Sequence, residues 1–414
     1  MTSEKLEDIA LVTPGTSPKG DLINSSGQGL PFFQGSKEFN ELYPVPERYT
    51  EHPVKVANSG DVLISVRAPV GEVNIAREDC SIGRGVMSVR AKKKSEQMFI
   101  FYFLKNLQGK WDSLGSTGSV FDNLSTVALN RVEIPSGLKR EAIGEILFSI
   151  DRKIAMNHAI AKSLEDIAMT IFKSWFIDFN PVKAKMSGEK IAGMDDETAA
   201  LFSESMEESD LGLIPKGWEI SKSTDLFDVL SGGTPKTTNE NYWNGDIPWY
   251  SVVDAPDSEG CFFIKTSKTI TKEGLDNSAA KMVRPGVTVI SARGTVGKTA
   301  IVAVPSTFNQ SCYGIEGKYG DFFTYLLIRN QIARLQNISH GGMFDTITRE
   351  TFSAIKVVKP DTEIIERFEA IVFPIFLTIR SLQFQSDNLA IMRDSLLPRL
   401  ISGDLQIPEE MLAY

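Results

Sequence analysis

The stretch whose residue types come nearest to a known chemistry is Ala292-Arg-Gly-Thr-Val-Gly297-Lys298-Thr299. A glycine-rich loop ending in Gly-Lys-Thr cradles nucleotide phosphates on its backbone N–H groups, and its lysine reaches the terminal phosphates. Here the first glycine of that pattern is Ala292. The residues that follow, Thr299 to Val304, are β-type, whereas a phosphate loop opens a helix. The matching place earlier in the chain, Val70-Gly71-Glu72-Val73, has no lysine. A β-hairpin with Gly71 and Gly297 in its turns accounts for both stretches. Asn180-Pro181-Val182 is a faint version of the Asn-Pro-Pro-aromatic motif of amino-methyltransferases, without the second proline or the aromatic. No glycine-rich loop suited to S-adenosylmethionine follows a clear strand. The three histidines, His52, His158 and His340, and the three cysteines, Cys80, Cys261 and Cys312, are scattered, with no metal-ligand spacing. They fit ordinary surface or core positions and a reducing compartment.

The remaining chemistry is that of exposed cations. Arg67 and Arg293 each follow a β-type run and precede a turn, at matching places. An arginine so placed can fork onto a guanine edge or a phosphate. A surface salt bridge is the bland alternative. Lys19 and Lys236 sit in matching turns, Gly15-Thr-Ser-Pro-Lys19 and Gly233-Thr-Pro-Lys236. Lys92, Lys93 and Lys94 form a basic run, and Lys298 closes the phosphate-loop-like stretch. All can meet phosphate; each can also simply be solvated. Trp243, Trp249, Tyr250 and Tyr313 make an aromatic group that suits a core better than base stacking.

These residues belong to a repeated framework. Asp61–Val66 and Glu72–Ala76 read as strands, Met98–Leu107 as a short helix, Ser116–Phe121 as a Gly/Ser-rich turn and Arg131–Pro135 as a last strand. The same landmarks then recur in order. Pro31-Phe-Phe33 answers to Pro248-Trp-Tyr250, and Ile64-Ser-Val-Arg67 to Ile290-Ser-Ala-Arg293. Ser116-x-Gly118-x-x-Phe121-Asp122 answers to Ser339-x-Gly341-x-x-Phe344-Asp345, and Leu164 with Ile171-Phe172 to Leu389 with Leu396-Leu397. Between landmarks the copies diverge, as in Asn24–Leu30 against Thr238–Asp246. One scaffold with altered loops suggests two readers of two different things.

Each copy ends in a long apolar seam. Leu147, Ile150, Ile154, Asn157, Ala161, Leu164, Ala168, Ile171 and Trp175 alternate steps of three and four, over about four heptads. Phe368, Val372, Ile375, Ile379, Leu382, Leu389, Leu396 and Leu400 do the same, with Ser386 and Arg393 as polar interruptions. Pro374 should kink that helix or mark its start. Neither helix can stand alone in water, so the two should pack antiparallel as a central rod.

The chain has 414 residues, more than one core of usual size holds, and 42% hydrophobic with 23% charged residues is a globular composition. The opening MTSEKLEDIA is polar and acidic, and no apolar run is long enough to span a membrane, which suits a cytoplasmic location. The net charge of −9 argues against a nucleic-acid partner at first sight. Its distribution weakens the objection: between Met186 and Gly212, Lys190 alone faces Glu189, Asp195, Asp196, Glu197, Glu204, Glu207, Glu208 and Asp210. That stretch reads as a partly ordered linker. The expected order is a β-rich domain at 1–136, a helix at 137–180, the acidic linker at 181–212, a second β-rich domain at 213–360, a helix at 361–405 and a tail at 406–414.

Leu226-Phe-Asp-Val-Leu-Ser-Gly-Gly-Thr-Pro-Lys236, followed by Tyr242-Trp-Asn-Gly-Asp-Ile-Pro-Trp-Tyr-Ser251, resembles the start of a target recognition domain in specificity subunits of type I restriction–modification systems. Ile171-Phe-Lys-Ser-Trp-Phe-Ile-Asp-Phe179, Ala199-Ala-Leu-Phe202, Leu213-Ile-Pro-Lys-Gly-Trp218 and Leu396-Leu-Pro-Arg-Leu-Ile-Ser-Gly403 extend the likeness over nearly the whole chain. Copy one matches less well: its turn is Gly-Thr-Ser-Pro and no Gly-Trp precedes it. The resemblance implies an α+β protein with two β-rich target recognition domains joined by an antiparallel coiled coil. Each domain would read half of a bipartite DNA site. The helices would set the spacing and dock two modification subunits, with Ile171, Phe172, Trp175, Phe176, Leu396, Leu397 and Leu400 as the docking residues. The chain would bind no cofactor; partner subunits would carry S-adenosylmethionine to methylate adenine, and restriction subunits would use ATP and Mg2+. Two other classes stay open on the residues alone: a complete DNA methyltransferase, and a coiled-coil protein adaptor without DNA.

Overall fold

The computed structural model describes residues 3–111, 123–191, 193–256, 260–340 and 346–412. The turn at Ser116–Asp122 and its counterpart Gly341–Asp345 lie outside the described residues, as do the side chains of Ser339 and His340. The chain divides into two compact units, Met1–Ala155 with Asp387–Tyr414, and Met156–Ser386. The division cuts across the linear order expected from the sequence, because each long helix gives one half to each unit.

The first unit is built on a four-stranded antiparallel sheet in the order Ala10–Pro14, Val86–Ala91, Val62–Ser65, Val73–Ile75. Val62–Ser65 is buried on both faces, as a continuous apolar run requires. One face is covered by the helix Gln97–Asn106, whose residues Phe99 to Leu104 are all buried. A helix apolar all round must be enclosed. A second sheet orders Tyr49–Thr50, Leu30–Phe33, Cys80–Ile82 and Val56–Ala57, with the middle pair parallel.

The second unit repeats this plan. Its main sheet runs Phe227–Ser231, Cys312–Gly317, Thr288–Ser291, Thr299–Val302, with Phe262–Phe263 added at the edge. The register repeats as well: Ile64 faces Met87 and Val73 in the first unit, and Ile290 faces Tyr313 and Thr299 in the second. The parallel pair recurs as Trp249 and Tyr250 against Thr307 and Phe308, matching Phe32 and Phe33 against Ser81 and Ile82. The covering helix is Asp321–His340, with Phe322 to Ile328 buried. The internal repeat read from the landmarks is therefore a repeat of topology and register. One pairing shifts by a residue: a Cβ on Gly15 would meet the carbonyl of Gly83, and one on Gly232 that of Asn309, so Gly232 rather than Gly233 is the counterpart of Gly15.

The long helices are Arg140–Phe176 and Thr362–Ser402. The second runs through Pro374, which neither starts nor ends it. Pro374 and Ala370, whose carbonyl loses its partner, are both exposed, so water can satisfy that group. In the second unit Asn157 Nδ2 donates to Gln385 Oε1 at 2.8 Å and Ser386 Oγ at 3.3 Å, while Trp175 lies 5.7 Å from Phe368 between ring centroids. In the first unit Arg393 pairs with Asp151, and Lys139 donates to the Ile407 carbonyl at 3.1 Å. Within each unit the helix halves thus run antiparallel. The three polar residues of the two seams find polar partners rather than apolar ones.

The acidic stretch, expected to be a partly ordered linker, is folded over its described residues. It forms the helix Asn180–Ser187, the short helix Asp196–Ala200 and a hairpin of Met206–Ser209 with Gly212–Pro215. Val182, Phe202 and Ile214 are buried. Some of the acids have partners: Asp195 accepts from the Thr198 amide at 2.7 Å and pairs with Arg367 at 2.8 Å, and Asp210 pairs with Lys356 at 3.2 Å. The Thr198 hydrogen bonds first, and Arg367 after them, hold the Asp195 carboxyl down at about 2. Composition hid a few apolar anchors that are enough to order the segment.

Candidate nucleic-acid interface

In each unit three loops leave the same end of the main sheet, where strands Ala10–Pro14 and Val62–Ser65 finish and strand Val86–Ala91 begins, or their counterparts. In the first unit they are residues 15–19, 66–72 and 83–85. Gly15 and Thr16 donate to the carbonyls of Val86 and Ile82 at 3.0 and 2.9 Å, and Val66 donates to Gly85 at 2.9 Å. The loops are therefore stitched to one another by backbone. Lys19, Arg67 and Arg84 are exposed on them. In the second unit the loops are 232–236, 292–298 and 309–311, and they bring together Lys236, Arg293 and Lys298, all exposed.

The phosphate-loop-like stretch is the hairpin turn of this end. Gly297 donates to the Ser291 carbonyl at 3.0 Å and Lys298 N to Ser291 Oγ at 2.9 Å. Gly71 and Glu72 make the same two bonds to Ser65, both at 2.9 Å. Gly71 and Gly297 have φ of 82° and 92°, the left-handed region where glycine is favoured. Thr299–Val302 is a strand, so no helix N-terminus is present to hold a phosphate. The two hairpins differ in charge at one place: Glu72 stands where the other has Lys298.

Lys19, Arg67, Arg84, Lys236, Arg293 and Lys298 make no ion pair among the described residues. Some cations elsewhere are used internally. Arg48 pairs with Glu38 at 2.7 Å, Arg90 with Asp61 at 2.7 Å, and Arg284 with Asp321 at 2.6 Å. The cations of the loop end are exposed and can meet phosphate.

Lys92, Lys93 and Lys94 do not join this group. They follow the far end of strand Val86–Ala91. Lys92 Nζ donates to the Glu7 carbonyl at 2.7 Å and Lys93 pairs with Glu96 at 3.6 Å, beside the start of the first long helix. Trp249 and Tyr250 are buried and Trp243 stacks edge-on to Trp249 at 5.1 Å, so these aromatics are core. Two loop-end residues escaped the sequence reading, Arg84 and Gln310. Only the constant spacing carried forward from Arg67 and Arg293 would have paired them.

The expected docking residues are corrected. Phe172, Trp175, Phe176, Leu397 and Leu400 are buried, and Ile171 and Leu396 pack half-buried against the same cores. Trp175 meets Phe202 at 5.1 Å, and Phe176 meets Phe323 and Phe368 at 5.1 Å each. Their apolar character serves the chain's own interior. The exposed apolar residues of the first long helix lie elsewhere: Met156, Ile160 and Ile167, at helical spacing on one stripe. Phe373 and Leu377 are similarly exposed on the second.

Residues 1–166 and 215–379 match the family described as the type I restriction modification DNA specificity domain. The specificity subunit of the type I restriction enzyme HindI from Haemophilus influenzae is 29% identical over 328 residues, covering 69% of this chain and 70% of that one. The MjaIX specificity subunit from Methanocaldococcus jannaschii is 25% identical over 426 residues, 98% of this chain and 94% of that one. Among solved structures, the S subunit of a type I restriction–modification system from M. genitalium shares the fold, with a TM-score of 0.58 and 16% identity over 97% of this chain and 96% of that one. The match covers both units and both long helices in part. The chain belongs to the family of type I restriction–modification DNA specificity proteins.

Proposed function

We propose that this chain is the DNA-recognition subunit of a type I restriction–modification complex, in which each unit reads one half of a bipartite site through its loop end. The observation that carries this reading is the repetition of one loop end with exposed cations on a shared register, while the loops themselves differ. The chain supplies recognition and no chemistry of its own. S-adenosylmethionine belongs to two modification subunits, and ATP with Mg2+ to restriction subunits. The whole complex works on chromosomal and incoming DNA in the cytoplasm. Methylome sequencing of cells with and without the gene tests it. Loss of one bipartite methylated motif on deletion is expected, and exchange of residues 1–136 for another family member's should change one half of it only. An unchanged methylome, or a change in both halves, would sink the reading.

The helix stripe Met156, Ile160 and Ile167 is the surface we assign to a modification subunit, in place of the buried residues first expected. These side chains are 54%, 41% and 49% exposed in an otherwise polar face. Ile160→Asp with Ile167→Asp should leave the melting of the free chain nearly unchanged, since exposed substitutions move stability by about 0.5 kcal/mol or less. Co-purification with modification subunits should be lost. Retention of the full complex by that variant would remove the stripe from the interface.

A further inference from the structure

Loop residue 84 in the first unit and loop residue 310 in the second occupy the same built position. Each is the second residue of a tight turn that carries the chain from the smaller sheet into the main one. Val86 N donates to the Gly83 carbonyl at 3.0 Å, and Cys312 N to the Asn309 carbonyl at 3.2 Å, closing the two turns. The first residue of each is anchored alike, Gly83 N to the Phe33 carbonyl at 2.8 Å and Asn309 N to the Tyr250 carbonyl at 2.9 Å. The third residue accepts from the hairpin just before its arginine: Val66 N to Gly85 at 2.9 Å, Ala292 N to Ser311 at 2.8 Å. A hydroxyl from the remaining loop completes both: Ser17 Oγ accepts from Arg84 N at 3.2 Å, and Thr234 Oγ1 donates to Gln310 Oε1.

The frame is shared, and the side chain it presents is not. Arg84 and Gln310 are both exposed, each beside an arginine of the neighbouring hairpin. Arginine offers a fork of donors that matches the two acceptors of guanine in the major groove. Glutamine offers one donor and one acceptor, which matches adenine. The Thr234 hydroxyl donates to the Gln310 amide oxygen, which keeps a second lone pair able to accept from the adenine amino group, while the amide NH2 can donate to the ring nitrogen. A phosphate contact would favour a cation at both places, and Gln310 is not one.

We infer that Arg84 and Gln310 are base-reading residues, Arg84 taking a guanine in the half-site of the first unit and Gln310 an adenine in the half-site of the second. The inference rests on the reading of the chain as a DNA-recognition subunit. It is tested with the full chain assembled with its modification subunits, on DNA carrying the motif that the wild-type complex methylates. Absence of any bipartite wild-type motif would be a failure of that underlying reading, and is seen before any variant is made. Given a motif, Arg84→Gln should change one guanine of one half-site to adenine or relax it, and Gln310→Arg should change one adenine of the other half. Binding measurements cover the case of an inactive variant. Replacing one guanine at a time by 7-deazaguanine removes the N7 acceptor. One such position in the first half-site should weaken wild-type binding by roughly ten- to a hundred-fold, the range of a bidentate base contact. The same replacement should add nothing to Arg84→Ala. If no guanine shows that coupling, or if both exchanged variants methylate the unchanged motif, the two turns do not read bases.

Discussion

Asp151→Ala should destabilise the first unit by about 3–5 kcal/mol, the usual effect of removing one partner from a buried charge pair. Asp151 is 3% exposed on the first long helix and accepts from Tyr102 Oη at 2.6 Å and from Arg393 of the second. Burial first, and then the Asp151 carboxylate beside it, push the Tyr102 phenol far above its ordinary range, so it remains a donor at any working pH. Without Asp151, a guanidinium with only 17% of its side chain exposed and an enclosed phenol lose the shared acceptor, though Arg393 keeps Asp394 at 2.8 Å. Tyr102→Phe removes one hydrogen bond and should cost about 1 kcal/mol. Replacing all three by apolar residues of similar volume should recover much of the loss, because neither charge of the Asp151–Arg393 pair is then left buried. Denaturant unfolding of the free chain measures each. A cost below about 1 kcal/mol for Asp151→Ala would mean that water enters the site and that the pair does not hold the helix halves in register.

That network marks the boundary of what the sequence made legible. The heptad seams were readable because their spacing is a local property: Leu147, Ile154, Asn157, Ala161, Ala168 and Trp175 are all buried, as the alternation of three and four requires. Arg393 and Ser386 were readable as interruptions, yet their partners Asp151 and Asn157 depend on the register between two helices far apart in the chain. The repeat was readable because Arg67 and Arg293 keep one spacing from their strands. Arg84 and Gln310 were not, since the turn that makes them equivalent is defined by backbone bonds to three other segments. The acidic stretch was misread for the opposite reason. Its eight acids dominate the composition, while Val182 and Phe202 decide its structure. Apolar motifs mislead in a third way: hydrophobicity says that a residue will be covered, not by what.

Phe172 separates those two coverings by experiment. It is fully buried in the second unit, with its ring centroid 5.3, 5.7 and 6.0 Å from those of Phe176, Phe323 and Phe368. Phe172→Ala opens a void among three aromatic rings that are fixed by two long helices and the covering helix. Truncations of this kind cost about 3–5 kcal/mol, and the melting temperature of a unit this size should fall by roughly 10 °C. Phe172→Leu keeps most of the volume and should cost less than about 1.5 kcal/mol. Both values are read on the free chain, with no modification subunit present. A docking residue behaves differently: its truncation leaves the free chain's melting untouched and weakens only the assembled complex, as expected of Ile160 and Ile167. If Phe172→Ala melts like the wild type alone but fails to assemble, the aromatic cluster is a surface for a partner and does not form the core of the second unit.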